Sequence, residues 1–359
     1  MNARHRDKRT TVSLETAALL PGIERGGGRS IADLTTAALK GGADGIMLHI
    51  TEDQGVIGDE DLHATAEACR LADGGFHLRM TPATDRITTA LRHRPQTVYL
   101  SAEARLRTEV SLGLSLKFNL NHIQRGISTL ADAGIGTVIS LEPNLDAIEA
   151  ALRAGLDAIE LDCVSLCQAI EGTDLHRLEV ELGRMISLSR YASRHGVEVQ
   201  LGGGLTMHSL QILARLTVVR QMNLGRATVA DALVGGMANV VGSAKVIQQT
   251  AGLEKDSCEA RRQRLANRAN DRGLRDLDII LSSFFDSDGA PLDDPALLVA
   301  ERILELPDPV LYDLICDDRA PANGLNVSIT NQLREFYRRN MPFPNRAVIE
   351  HMARPEDLE

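Results

Sequence analysis

Tryptophan is absent from these 359 residues, and all aromatics together make up only 3%. A core built without large rings must be aliphatic, which suits a parallel sheet buried on both faces. Cysteine is sparse: Cys69, Cys163, Cys167, Cys258 and Cys316 are odd in number and scattered, which excludes a disulfide framework. The closest pair, Cys163 and Cys167, lacks a second ligand pair at zinc-like spacing and reads as buried thiols. Positive charge is in deficit. The formal net charge is -10, so the chain lacks the concentrated basic surface that a nucleic-acid backbone requires. No apolar run approaches the ~18 residues of a membrane span. The basic start, MNARHRDKRT, leads into no signal-peptide core. A cytoplasmic protein without membrane insertion is therefore expected.

What is present is a recurring local pattern. An Ala-rich helical stretch, a glycine and a short β-branched run appear together in residues 40–50, 132–141, 153–162 and 194–203. Glycine takes the left-handed conformation that ends a helix, and a buried strand follows at once. Further strands are expected at 10–14, 76–80, 97–101 and 218–224. Eight strands alternating with helices in about 250 residues favour a (β/α)8 TIM-type barrel over a doubly wound open sheet. The pattern stops near Gln248. Residues 1–250 then form the barrel, 251–258 a linker, 259–345 a small all-helical bundle domain and 346–359 a tail. In the bundle, Leu274, Leu277, Ile280, Leu281 and Phe284 recur at helical spacing.

Chemistry in such a barrel sits at the C-terminal ends of strands, with phosphate often held after the seventh and eighth. The seventh expected strand ends in Gly202-Gly203-Gly204, whose N–H groups can cradle an anion. The eighth ends in Gly225-Arg226, a close approach followed by a planar cation. Tight turns alone would use the same glycines. His49 ends the second strand, either as a proton carrier or as a hydrogen-bonded structural residue. Glu15 ends the first strand, Arg79 the third, and Glu160 lies in the sixth. Glu15 and Arg79 could pair across the mouth or face a ligand. His208 belongs to the start of the helix after Thr206.

From about Thr11 to Gln248 the chain resembles the pyridoxine 5'-phosphate synthase family. The likeness is carried by GADGIMLHITEDQGVIGDEDL, LADAGIGTVISL, AGLDAIEL, SRHGVEVQLGGGLTMHSL and MNLGRATVADALVGGM, in family order and spacing. Such enzymes condense 3-amino-2-oxopropyl phosphate with 1-deoxy-D-xylulose 5-phosphate. The resemblance implies a proton-accepting role at His49, phosphate-binding positions at Gly204, Gly225 and Arg226 (a His in the family), and a substrate-binding threonine at Thr108. Departures are severe. The family's Asn-Ile-Asp-His reads Ser13-Leu14-Glu15-Thr16, and its Arg and His after the catalytic histidine read Thr51 and Val56. Its catalytic glutamate reads Arg79, and its proton-donating histidine reads Gly203. An always-charged guanidinium cannot serve as a general base, so ordinary synthase activity is expected to be lost or very weak. The candidate set is His49, Glu15 and Arg79 for catalysis, with Ser13, Thr51, Thr108, Gly203, Gly204, Gly225 and Arg226 around a phosphorylated small molecule.

Residues 261–339 resemble the small assembly factors that promote covalent FAD attachment to the succinate dehydrogenase flavoprotein. RANDRGLRDLDIILSSFFDSDGAPLDD and RILELPDPVLYDLI carry the likeness. The family's Arg-Gly-x-x-Glu signature stands here as Arg272-Gly273-Leu274-Arg275-Asp276. The resemblance implies surface contacts to a flavoprotein subunit at Arg272, Gly273 and Asp276, with FAD met only through that partner and no covalently bound cofactor. Ring-like relatives imply self-association. The expected function is a phosphate-binding barrel fused to a flavoprotein assembly factor. The alternative is an active synthase-family enzyme in vitamin B6 biosynthesis or on a related phosphorylated substrate.

Overall fold

In the computed structural model, eight parallel strands close into a barrel in the order β1 to β8. The structure describes residues 8–19, 30–51, 57–102, 113–116, 120–172, 174–253, 258–269, 272, 275–286, 294–316 and 329–340. The elements run β1 (Arg9–Ser13), a 3-10 turn (Glu15–Leu19), α1 (Ile31–Lys40), β2 (Gly45–His49), α2 (Asp59–Leu71), β3 (Gly75–Met80), α3 (Thr84–His93) and β4 (Thr97–Leu100). They continue α4 (Leu120–Asp132), β5 (Gly136–Leu141), α5 (Leu145–Arg153), β6 (Ala158–Asp162), α6 (Val164–Glu171), α7 (Leu175–Arg194), β7 (Glu198–Gly202), α8 (Met207–Leu213), β8 (Val219–Leu224), α9 (Arg226–Gly235) and α10 (Met237–Leu253). The expected closed barrel is thus the observed one, and the open sheet is excluded by the pairing of β1 with β8.

The helix-to-strand turns follow from the repeated glycines. Gly42, Gly134, Gly155 and Gly196 have φ of 96°, 76°, 73° and 83°, the left-handed region that stops a helix without steric cost. Elsewhere side chains set the helix ends. Ser30 caps α1 by accepting from Asp33 N at 3.2 Å, while the Asp33 carboxylate accepts from Ser30 N at 2.8 Å.

Strand alternation sorts the side chains into two layers. Val12, Ile46, Leu48, Leu78, Leu100 and Leu161 are fully buried and of one parity, which leaves the opposite parity for the lumen. The lumen differs from the aliphatic core that composition implies. Among the described residues it holds an apolar layer of Met47, Tyr99 and Val138, with Ala158 packed against it, between buried polar residues such as Arg79, Glu160, Gln200, Gln221 and Asn223. Cys163 and Cys167 are buried thiols outside any disulfide.

Chain contacts divide the molecule into two units, Met1–Asp174 with Val180–Lys255, and Leu175–Glu179 with Asp256–Glu359. The second carries α11 (Cys258–Ala269), α12 (Arg275–Asp286), α13 (Asp294–Ile303), α14 (Asp308–Cys316) and α15 (Ile329–Asn340). Leu277, Ile280, Leu281 and Phe284, expected on one helical face, are all buried there; Leu274, expected on the same face, lies outside the described residues. The core also gathers Leu297, Val299, Ile303 and Leu311. Phe284 meets Phe285 and Phe336 edge-to-face at 5.3 and 5.5 Å between centroids. Phe284→Ala should cost the helical unit about 3–5 kcal/mol, seen as a lower unfolding midpoint for the far-UV circular dichroism of that unit.

Candidate functional site

The C-terminal end of the barrel is organised by a buried ion pair. Arg79 on β3 donates to Glu160 on β6 through Nη1 at 2.7 Å and Nη2 at 2.8 Å. These strands are not neighbours, so the contact crosses the lumen. Both side chains are at most 4% exposed. A fork facing a carboxylate gives two parallel charge-assisted bonds. Ser140 on β5 hydrogen-bonds to both partners, and Asn223 on β8 donates to Glu160 Oε1 at 2.6 Å. The remaining guanidinium edge is taken by Met47 Sδ at 3.3 Å, and the Tyr99 ring lies 5.4 Å from Arg79 Cζ. Gly202 explains how Glu160 fits, since a Cβ there would collide with the carboxylate.

The pair governs the charges around it. Burial pushes the Glu160 carboxyl up, but Arg79 and the hydrogen bonds from Arg79, Ser140 and Asn223 together hold it below the ordinary value. Burial opposes the charge on Arg79, yet Glu160 more than offsets it. His49, next to Arg79 in the β2–β3 register, is 4% exposed, and its Nε2 is buried without a hydrogen-bond partner. Burial and the Arg79 charge pull it down to about 3, against a smaller upward pull from Glu160. It is therefore a neutral imidazole at neutral pH and a weak base.

The structure brings part of the expected set together. Glu15 opens the turn after β1, and burial raises its carboxyl even though its own backbone N–H, Arg79 and Arg226 pull the other way. Its Oε2 is buried and unpartnered. The Glu15–Arg79 ion pair that the sequence allowed does not form, because the guanidinium is turned to Glu160, Ser140 and Met47. Ser13 and Thr51 are buried at the ends of β1 and β2. Gly203 and Gly204 leave β7 with φ of 84° and 71°. Gly225 has an ordinary negative φ, and a Cβ there would meet nothing within 4 Å. It therefore borders open space and is not a crowded approach. Arg226 is the exposed first residue of α9, and Gly202 pairs with Asn223, so the two glycine segments leave neighbouring strand ends. Thr108 lies outside the described residues. His208 stands at the start of α8, as expected.

Sequence reasoning missed the partners of Arg79. Ser140, Glu160 and Asn223 carry a visible signal, a polar residue between two buried aliphatics on successive strands. The same signal marks a second set deeper in the lumen. Tyr99 OH donates to Gln200 Oε1 at 2.7 Å, and Gln221 Nε2 donates to Tyr99 OH at 2.6 Å and to Thr11 Oγ1 at 2.8 Å.

In the helical unit, Arg272 is turned inward, against the expectation of a surface contact. Its guanidinium donates to the carbonyls of Leu304 and Leu306 and pairs with Asp308 at 2.9 Å, with 13% of the side chain exposed. A planar cation satisfies the unpaired carbonyls at the end of α13 and joins them to the first turn of α14. The backbone N–H of Arg272 donates to Asp278 Oδ1 at 3.0 Å. Gly273 and the Asp276 side chain lie outside the described residues.

Comparison with known proteins matches residues 11–250 to the family described as pyridoxal phosphate biosynthesis protein PdxJ, and residues 263–337 to that described as flavinator of succinate dehydrogenase. The pyridoxine 5'-phosphate synthase of Magnetococcus marinus is 31% identical over 219 residues, covering 61% of this chain and 88% of that protein. Those of Rhodospirillum rubrum and Aquifex pyrophilus are 29% and 32% identical, covering 56% and 57% of this chain and 78% and 86% of theirs.

Three outcomes follow from this geometry. Glu160→Ala leaves a buried guanidinium unpaired and should destabilise the barrel by about 3–5 kcal/mol; with Arg79→Met added, urea denaturation should recover much of that loss. His49 is held far below the ~6.5 of an unfolded chain. Between that value and about 3 the unfolded chain binds a proton the fold excludes. Stability contributed by His49 is therefore present above pH 6.5 and lost on acidification, by about 1.4 kcal/mol per pH unit; unfolding midpoints of His49→Gln should depend less steeply on pH. Arg272→Ala should lower the stability of the helical unit by about 2–3 kcal/mol through the orphaned carbonyls and Asp308.

Proposed function

Because the chain belongs to the PdxJ family of pyridoxal phosphate biosynthesis proteins through its barrel, we propose that this barrel keeps a phosphate grip but not the synthase reaction. The observation that carries this reading is the bidentate Arg79–Glu160 pair. It puts a permanently protonated group where the resemblance expects a proton-accepting glutamate, and it uses a second carboxylate to neutralise that group. His49, the retained acid/base candidate, is neutral and unpartnered beside it. Gly203 has no proton to donate. What remains is a set of N–H donors at Gly203 and Gly204, with the exposed cation of Arg226 one strand away. That set suits the oxygens of a phosphorylated small molecule.

The match of residues 263–337 to the flavinator of succinate dehydrogenase supports a second role in the same chain. The helical unit is read as the part that engages a succinate dehydrogenase-type flavoprotein subunit, so that FAD is met only through that partner and neither unit binds a cofactor covalently. Arg272 then acts by holding α13 and α14 in register for the contact surface, which makes it a positioning residue.

The full chain incubated with 3-amino-2-oxopropyl phosphate and 1-deoxy-D-xylulose 5-phosphate should release no pyridoxine 5'-phosphate by chromatography; turnover near that of a synthase relative would overturn the reading. Calorimetry should detect inorganic phosphate binding that weakens about tenfold in Arg226→Ala. Retention of a succinate dehydrogenase flavoprotein on the immobilised full chain, and its absence on the barrel side of a truncation at residue 255, tests the second role.

A further inference from the structure

The N-terminal end of the barrel, opposite the site above, holds a cavity of about 350 Å³. That lies at the lower end of the range for small-molecule sites, roughly 300–1,000 Å³. Its two walls differ in what they leave available.

One wall, formed by β7, β8 and β1, is internally saturated. Arg9 is bonded to Glu198, Gln200 Nε2 donates to Glu198 Oε1 at 3.0 Å, and Gln221 donates to Thr11 and Tyr99. The other wall is formed by the starts of β4, β5 and β6. It presents Gln96, Thr97, Thr137 and Asp157. Among the described residues, none of these four side chains is hydrogen-bonded to another protein group; Gln96 and Asp157 are exposed to solvent and Thr97 is half-buried. Thr137 Oγ1 is buried. Buried polar atoms are nearly always satisfied, so an orphan beside a cavity points to a missing partner.

We infer that this cavity binds a small, neutral, polyhydroxylated molecule, a polyol or an unphosphorylated sugar. The open wall combines an amide and two hydroxyls, which both donate and accept, with a carboxylate that only accepts. Adjacent hydroxyls on a carbon chain are complementary to such a mixture, since each also donates and accepts. Val138 and Ala158 supply an apolar strip for the C–H face of the ligand. Anions are disfavoured. The cation in the lining, Arg9, is already neutralised by Glu198, and Lys245 near the rim is bonded to Asp44 at 2.6 Å. The inference does not depend on the phosphate reading, because the two sites lie at opposite ends of the strands.

The test is calorimetric titration of the full-length protein with ribitol, sorbitol and glucose, each with and without saturating inorganic phosphate. At least one probe should bind saturably in the millimolar range or tighter, unaffected by phosphate. Thr137→Val and Asp157→Ala should each weaken it about fivefold, the worth of one hydrogen bond. Neither side chain is bonded within the protein, so both variants should keep the parent's melting temperature, and Arg226→Ala should leave polyol binding intact. Absence of saturable binding by all three probes, displacement by phosphate, or full affinity in both variants would each overturn the inference.

Discussion

A single ion pair across the barrel lumen, Arg79 to Glu160, sets the terms for everything at the C-terminal end of the strands. Taking two charges out of water is expensive, and their attraction repays the cost only when every remaining proton and lone pair is satisfied. The surrounding residues meet that demand. Ser140 and Asn223 complete the carboxylate, Met47 and Tyr99 cover the guanidinium, and Gly202 removes the one Cβ that would intrude. Seven strands thereby contribute a residue to the pair or its surroundings.

The chemical consequences follow from proximity. A fixed positive charge beside His49 opposes its protonation, as burial does, so a residue type suited to proton transfer is held in one state. The carboxylate that could have served as a base is instead the counter-ion. Glu15 stays outside the pair but lies within the fields of Arg79 and Arg226. These charge states are what the proposed reading rests on: a phosphate grip on β7 and β8 without proton transfer by β2, β3 and β6. The helical unit uses a guanidinium in the same way. Arg272 is spent on the carbonyls of Leu304 and Leu306 and on Asp308, so its charge organises the unit before it meets any partner.

Polarity continues along the lumen from the ion pair to the opposite end through Asn223, Gln221, Tyr99 and Gln200. Neighbouring members share hydrogen bonds, so this chain specifies the packing of the inner face as a unit. It stops at the wall formed by the starts of β4, β5 and β6, where hydroxyl and amide groups are left over.

Much of this was legible in the residues alone. Four glycines after Ala-rich stretches marked the helix-to-strand turns, because a left-handed turn excludes most other side chains. Strand position placed His49, Glu15 and Arg79 at the barrel mouth, and a helical repeat placed Leu277, Ile280, Leu281 and Phe284 in one core. These are local constraints, expressed within a few residues. Which carboxylate Arg79 would choose was not local. Glu15 and Glu160 are both inward at the same end, and only barrel closure, with Gly202 clearing the space, decided for Glu160. The inward turn of Arg272 and the unpartnered wall at the far end likewise arise between segments distant in sequence. Periodicity determines the face on which a side chain lies, whereas its partner across the lumen depends on strand register and tilt, which exist only once the sheet has closed.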